Sequence, residues 1–427
     1  MNAFPSAPRR LAALLLLSLL AACNSETQQG KPSADAGHDD DHASSTLGRL
    51  AISEAGATAL RVYDLDKQAV AQSFTLAYAP SALYASPDRR YALAIQRTQD
   101  AVQIVDGGVW QEDHGDHLHD YAEAPRLLSY QLNGVRPTHY ETHDRLAALF
   151  MDGLVSSNSP AGVVTLSDAS IAASRAEATL TLDKPMHGTA EPRGEYLLTT
   201  YRAPDNTDTL PSQVELYRRQ GNSYQFVQRF DTPCPGLHGS YSNVNYSAFG
   251  CSDGVLLIRQ DGANFTASKL ANPADIGTGV RIGTITGHHE QARFVGIASP
   301  GHLFEIDPDK ATITRINWAT GRTQRGVAFD RHGEQLLVLD DQGSVHVLDS
   351  AAAWAKRSSL SVIASMPTAS PFPSLTISQS DDLAYLADPA GRQIAVIDIA
   401  QASLRAPLPL NFSPMGLTWL GIAHHDH

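Results

Sequence analysis

His38-Asp39-Asp40-Asp41-His42, His114-Gly115-Asp116-His117-Leu118-His119 and His424-His425-Asp426-His427 gather imidazoles and carboxylates at close spacing. Two donors from one short segment can reach one ion, and this mixture of nitrogen and oxygen is the ligand set of zinc and its borderline neighbours. Density alone does not make a site. The chain carries 17 histidines, and surface loops are normally hydrophilic. Where each histidine falls on the secondary structure is the stronger guide.

From Leu47 onward the chain runs in short β-rich segments separated by Gly, Pro, Asp and Asn, with almost no helical periodicity. The segments repeat. Pro80 to Val105, Pro137 to Met151, Pro185 to Thr200, Arg325 to Leu348 and Pro373 to Ile397 share a leading strand, a polar turn, an apolar second strand and a third strand. Further leading strands start near Leu237, Arg281 and Pro414. A period of roughly 40 to 55 residues is that of propeller blades, each a four-stranded sheet. The expected fold is therefore an all-β β-propeller over residues 47–427. Eight blades are favoured, and seven follow if one unit has been divided. Pairing the strands within Leu47 to Leu76 with the C-terminal strand Pro414 to Leu420 would close the ring and remove an open edge.

In a propeller the first strand of each blade lines the central channel. Three successive units put histidine at the leading end of that strand: His139, His187 and His238, where other units carry Ala82, Gly326, Leu375 and Gly416. Three imidazoles would converge at the channel mouth, and a carboxylate or water would complete a tetrahedron. Glu141 and Glu191 are candidate fourth ligands or partners that fix an imidazole tautomer. His143, His288, His289 and His332 fall in turns on the opposite face. The insertion Trp110 to Ala124 ends on that face too and carries Asp113, His114, Asp116, His117, His119 and Asp120. His117 and His119 can chelate together, with His143 as third donor, or the insertion can fold over the channel and join one mixed site. The donor set suits zinc, nickel, copper and cobalt alike.

The ends of the chain speak to location. Arg9 and Arg10 precede the apolar run Leu11 to Leu20, and Leu20-Ala21-Ala22-Cys23 resembles a bacterial lipobox. Residues 1–22 then form a signal peptide. Cys23 becomes the lipidated first residue in the periplasm, and the lipid is the only membrane attachment, since the apolar run is too short to span a bilayer. Residues 23–46 have the composition of a disordered tether, which makes His38, Asp39, Asp40, Asp41 and His42 a mobile capture arm. Cys234 and Cys251 remain as one pair in an oxidising compartment, at strand ends that antiparallel pairing would bring opposite each other, and a disulfide is expected. A two-cysteine metal site is the alternative, but it lacks CxxC spacing. The formal charge of −13 grows two units more negative on loss of Arg9 and Arg10 and argues against nucleic acid as partner.

HGDHLHDY at His114 to Tyr121, DKPMHGTAEPRGEY at Asp183 to Tyr196 and CPGLHGSYSN at Cys234 to Asn243, with the signal and the early histidine-aspartate run, resemble the AztD family of periplasmic zinc metallochaperones. The resemblance covers essentially the whole mature chain. It implies a non-enzymatic protein that binds Zn2+ and passes it to the solute-binding protein of a zinc ABC transporter, with the early histidine-rich segment assisting. The lipobox is a departure from the soluble form usual in the family. Two other classes fit a propeller with metal ligands. A lactonase-like hydrolase would need an open coordination position and a base, for which Glu141 or Asp144 could serve. An interaction scaffold would carry its histidines incidentally.

Overall fold

The computed structural model describes residues 46–115 and 117–424. The signal segment, Cys23, the run His38 to His42, Asp116 and His425 to His427 lie outside the described residues. Unbroken apolar segments become the second strand of each unit. Tyr91–Gln96 (YALAIQ) and Leu383–Asp388 (LAYLAD) are buried at all six positions, as expected for strands covered on both faces. The outer strands are polar and mostly exposed, as in Ala69–Thr75 and Ala355–Ser361. Leading strands begin at Ala82, Pro137, Ala190, Ser240, Ile282, Gln324, Leu375 and Gly416, within a few residues of the starts read from the repeat.

The chain is all-β apart from a short α-helix at Asp168–Ala172 and two 3-10 turns among the described residues. It forms a propeller whose hydrogen-bonded sheets are mostly four-stranded. One eight-stranded sheet consists of two such units joined by a single parallel bridge, Thr179 with Ser223. The sheet starting at Leu375 has its outer strand in two pieces, Ser403–Leu404 and Leu408–Pro409. Val109–Asp113 and Leu118–Ala122 make a separate hairpin between a third and a fourth strand, where the insertion was expected. None of the described helices is long and apolar enough to cross a membrane.

Closure follows the expected route. Arg49–Ser53 pairs antiparallel with Gly416–Leu420, putting Leu50 opposite Trp419 and Ile52 opposite Leu417. Trp419 packs with Leu50, Tyr385 and Phe412 and donates from Nε1 to the Leu47 carbonyl at 3.0 Å. Buried Arg49 pairs with Asp64 at 3.5 Å and donates to the carbonyls of Gly107 and Glu123, tying this unit to the root of the hairpin. A buried guanidinium needs such partners, because unpaired it would cost several kcal/mol.

Cys234 and Cys251 are joined as a disulfide with Cα atoms 4.9 Å apart, and both are fully buried. The bridge fastens the segment before Ser240 to the end of the strand Tyr246–Cys251. It closes a loop with a sequence separation of 17 residues, for which chain entropy gives about 3 kcal/mol. The double variant Cys234→Ala/Cys251→Ala should lose about that much in urea unfolding, and reductant should move the midpoint of the native chain but not of the variant.

Candidate metal centre

His139 lies in the strand Pro137–His143, where the register with the second strand shifts between Pro137 and His139. A bulge of this kind re-aims a side chain, and here it turns the imidazole toward its neighbours. His187 and His238 stand just before the short strands Ala190–Arg193 and Ser240–Ser242. Each is followed by a glycine at a close approach. A Cβ at Gly188 would meet the Thr200 hydroxyl at 2.1 Å and the Phe150 ring at 2.7 Å, and one at Gly239 would meet the Gly283 carbonyl oxygen at 2.8 Å. The His-Gly dipeptide thus lets two backbones approach the adjoining strands.

The three rings converge. Their centroids are 4.8 to 5.3 Å apart and one nitrogen of each lies within 4.8 Å of the others. His187 Nε2 is 3.4 Å from His139 Nε2 and 3.0 Å from His238 Nε2. Nitrogens bound to one tetrahedral zinc at the usual bond length stand about 3.3 to 3.4 Å apart. The spacing fits such an ion with little movement.

The tautomers sharpen the case. His187 Nδ1 donates to Asp152 Oδ2 at 3.0 Å, and His238 Nδ1 donates to the Gly283 carbonyl at 2.8 Å. Neither oxygen has a proton to give, so each neutral ring carries its hydrogen on Nδ1 and a lone pair on Nε2. Two lone pairs then face each other at 3.0 Å. A cation between them would relieve that repulsion. A proton is disfavoured: burial, then the charges of His187 and His238, would push His139 down to about 3, and burial also lowers His238 against the pull of the Gly283 carbonyl. A metal ion supplies the charge without protonating a ring.

Asp152 is held in turn by Arg97, whose Nη2 is 2.7 Å from Oδ2 while its Nε donates to the Thr138 hydroxyl at 2.9 Å. Burial raises the Asp152 carboxyl, but the hydrogen bonds from His187 and Arg97 outweigh it and keep the group ionised. Sequence reasoning missed Asp152, Arg97 and the Gly283 carbonyl. The available signals were Met151-Asp152-Gly153 at the end of a buried strand and the glycine after two of the three histidines.

Glu141 and Glu191 do not hold an imidazole. Glu141 is two residues beyond His139, one layer along the channel, and Glu191 is fully buried four residues beyond His187. Burial raises both carboxyls, Glu191 to about 7 against the Ser240 and Ser242 hydroxyls, and Glu141 further, with Glu191 adding to the effect. The carboxylate at the triad is Asp152.

The hairpin carries His114, His117 and His119 on exposed backbone, with ring centroids 5.4 to 6.4 Å apart. His119 leans on Tyr121 at 4.5 Å. At its root Trp110 stacks on Tyr121, and Arg90 lies 3.5 Å over the Trp110 ring. His143 is not turned to this hairpin. Its Nε2 lies 3.0 Å from the Asn243 carbonyl and 3.0 Å from Arg193 Nη1. Asn243 donates to Gln291 O at 2.9 Å, which brings the turns of His143 and His288 to one end of the molecule. His288 packs on His289 at 4.2 Å, and burial, then His289, pushes it to about 3. Among the described residues, only His139, His187 and His238 converge as a three-donor metal group.

No protein-family model matches the chain. The zinc chaperone AztD of Citrobacter koseri is 25% identical to it over 363 residues, which is 82% of each chain. The crystal structure of apo AztD from C. koseri superposes with a TM-score of 0.75 at 22% identity, covering 88% of this chain and 99% of that one. A second C. koseri AztD crystal structure gives the same score over 89% and 99%. The chain is similar to AztD over most of its length. The resemblance read from its sequence motifs is thereby borne out. A dihydro-heme d1 dehydrogenase, NirN, in complex with DHE superposes with a TM-score of 0.57 over 90% of this chain and 77% of its own. At 14% identity it shares the propeller fold alone.

Changing Asp152 to Asn should loosen His187 and lower zinc affinity about 10- to 100-fold, the usual effect of losing a carboxylate behind a ligating imidazole. Competition against a chromophoric chelator measures it. Equal affinity in variant and native protein would mean that Asp152 does not orient the ring.

Proposed function

We propose that this chain is a non-catalytic zinc chaperone of the periplasm, which holds Zn2+ on His139, His187 and His238 and passes it to the solute-binding protein of a zinc ABC transporter. The observation that carries the reading is the convergence of one nitrogen from each of the three imidazoles within 4.8 Å of the others. The likeness to a named zinc chaperone over most of the chain supports the cargo.

Binding needs little rearrangement. Hydrated zinc exchanges three waters for three Nε2 lone pairs, and two rings are already in the ligating tautomer, so no proton has to leave them. Asp152 raises the basicity of His187 through Nδ1. Three imidazoles leave a fourth tetrahedral position for water, a carboxylate or an incoming imidazole. That position suits hand-over: a donor from the acceptor, or from the run His38 to His42, can bind before a propeller imidazole leaves. Transfer then proceeds without a free ion. The hairpin histidines His114, His117 and His119 serve as a weaker, exposed collecting point. Cys23 carries the lipid anchor.

A hydrolase reading would use the same open position, but needs a base beside it. Asp152 is bonded through Oδ2 to His187 and Arg97, bonds that outweigh burial and keep it a weak base, and Asp144 lies against His143, 2.9 Å from its Nδ1. The chaperone reading is the better supported.

Protein starting at Leu47, dialysed against a weak chelator, should retain about one zinc ion per chain by elemental analysis, and each of His139→Ala, His187→Ala and His238→Ala should lose it. His117→Ala/His119→Ala should retain it and reduce only the excess bound at high zinc. Retention in all three triad variants would sink the assignment. In a transfer assay with a zinc-importing solute-binding protein, deletion of residues 24–46 should slow hand-over while affinity is kept, and an unchanged rate would remove the arm from the mechanism.

A further inference from the structure

We propose that the central channel holds a second ligand site, between Arg89 and Arg325, that takes a small organic dianion of the dicarboxylate class. A cavity of about 470 Å³ is lined by these two arginines together with Tyr84, Thr142, Ser374 and Phe372, and none of the three triad histidines lines it.

Arg89 occupies a costly backbone position. In the turn Ser86 to Arg90 it stands two residues before the second strand, with φ +61°. Sister turns fill the same place with Gly194 at +63°, Gly333 at +70° and Asp144 at +48°. A branched or long side chain is uncommon in that region of the map. The Arg89 side chain lines the cavity. Among the described contacts its guanidinium has no hydrogen bond or ion pair, although Asp168 and Asp88 attract it electrostatically.

The carboxylates near Arg89 are already committed. Asp168 accepts from the Ser86 hydroxyl and from the backbone of Asp88 and Arg90, while Asp88 pairs with Arg145 at 2.9 Å. Arg325 repeats the pattern at the other level of the channel. Its Nε is buried without a partner, and its guanidinium lies 4.3 Å over the Phe372 ring. Arg49, Arg90, Arg97 and Arg322 each have a carboxylate within ion-pair distance, and Arg89 and Arg325 have none among the described contacts. Arginine keeps its charge at any working pH, so two half-buried guanidiniums that lack a protein carboxylate in one cavity favour external negative charge. Glu141 lines the same cavity but forms no ion pair with either arginine among the described contacts.

The two charges fix the ligand class. Arg325 is at the leading end of its strand Gln324–Phe329, and Arg89 is beyond the trailing end of Ala82–Ala85. At about 3.3 Å per residue, roughly 13 Å of strand separates the two levels. Two arginines lining one cavity at different levels can each take one carboxylate of a ligand that carries two. Planar forks of donors suit carboxylate at each end, and the hydroxyls of Thr142 and Ser374 can serve the middle.

Isothermal titration of the mature, zinc-free chain with succinate and with adipate, against acetate and chloride at equal ionic strength, tests the site. One dicarboxylate should bind at one site per chain, and acetate should not. Arg89→Gly, which installs the residue of two sister turns, and Arg325→Gln should each weaken binding at least about 10-fold. Without dicarboxylate, Arg89→Gly should unfold at a higher temperature than the native chain, since it removes both the unpaired charge and the strained φ. Zinc retention should be unchanged in both variants, which separates this site from the triad. No dicarboxylate heat beyond that of acetate, or equal binding in Arg89→Gly, would overturn the proposal.

Discussion

The structure turns on two hydrogen bonds that are not themselves at the metal position. His187 Nδ1 to Asp152 and His238 Nδ1 to the Gly283 carbonyl decide which nitrogen of each ring is bare. If either ring took the other tautomer, an N–H would point into the triad and the group would be a small hydrogen-bonded cluster with no need of an ion. With both fixed, two lone pairs face each other, an arrangement that a cation between them would relieve. The protein meets the electrostatic penalty in advance, during folding, so that less of the metal's binding energy is lost to reorganisation. This is also why burial matters. It lowers the proton affinity of His139 and His238, and so removes the only common competitor small enough to enter.

Propeller architecture makes such a site easy to build. The three histidines belong to three different units, and two of them are aimed by the unit beside them: Asp152 at the end of one second strand holds His187 of the next unit, and Gly283 of a further unit holds His238. Neighbouring blades must pack closely for these bonds to form, which Gly188 and Gly239 allow and which the bulge at His139 completes. The disulfide fastens the strand end behind His238. Ring closure through Arg49–Ser53 and Gly416–Leu420 removes the open edge, so the geometry of three adjacent units is not free to spread. Local precision at the triad therefore rests on contacts spread over most of the ring.

Part of this was legible in the chain. Repeating units, closure, the cysteine pair and the alignment of His139, His187 and His238 all follow from patterns within single blades, and a self-repeating sequence exposes them. What touches what between blades is a different kind of information. Alignment of the chain against itself puts His143 in a turn but does not say that Asn243, a hundred positions away, meets it. It puts Glu141 on the channel face but does not say that the carboxylate at the triad comes from the neighbouring second strand as Asp152. Arg89 was passed over for the same reason. Its meaning lies in the glycines of two sister turns and in the lack of a paired carboxylate among the described contacts, and the second of these needs coordinates.

The same framework can serve binding, transfer or catalysis, because the fold fixes only where first strands converge. The likeness to NirN, a dehydrogenase in name, illustrates the range at the level of fold. What tips this chain toward holding and releasing an ion is the way its polar groups are spent. Catalytic zinc sites leave a coordination position open and station an uncommitted base beside it. Here the nearest carboxylate is bonded through Oδ2 to an imidazole and to a guanidinium, and these bonds outweigh burial and keep it a weak base. An open position without a base does no hydrolysis efficiently, but it admits a fourth donor from another molecule. Exchange of ligands at one ion is then the chemistry that this arrangement performs best, and it requires the three imidazoles to be tight enough to hold zinc yet few enough to be replaced one at a time.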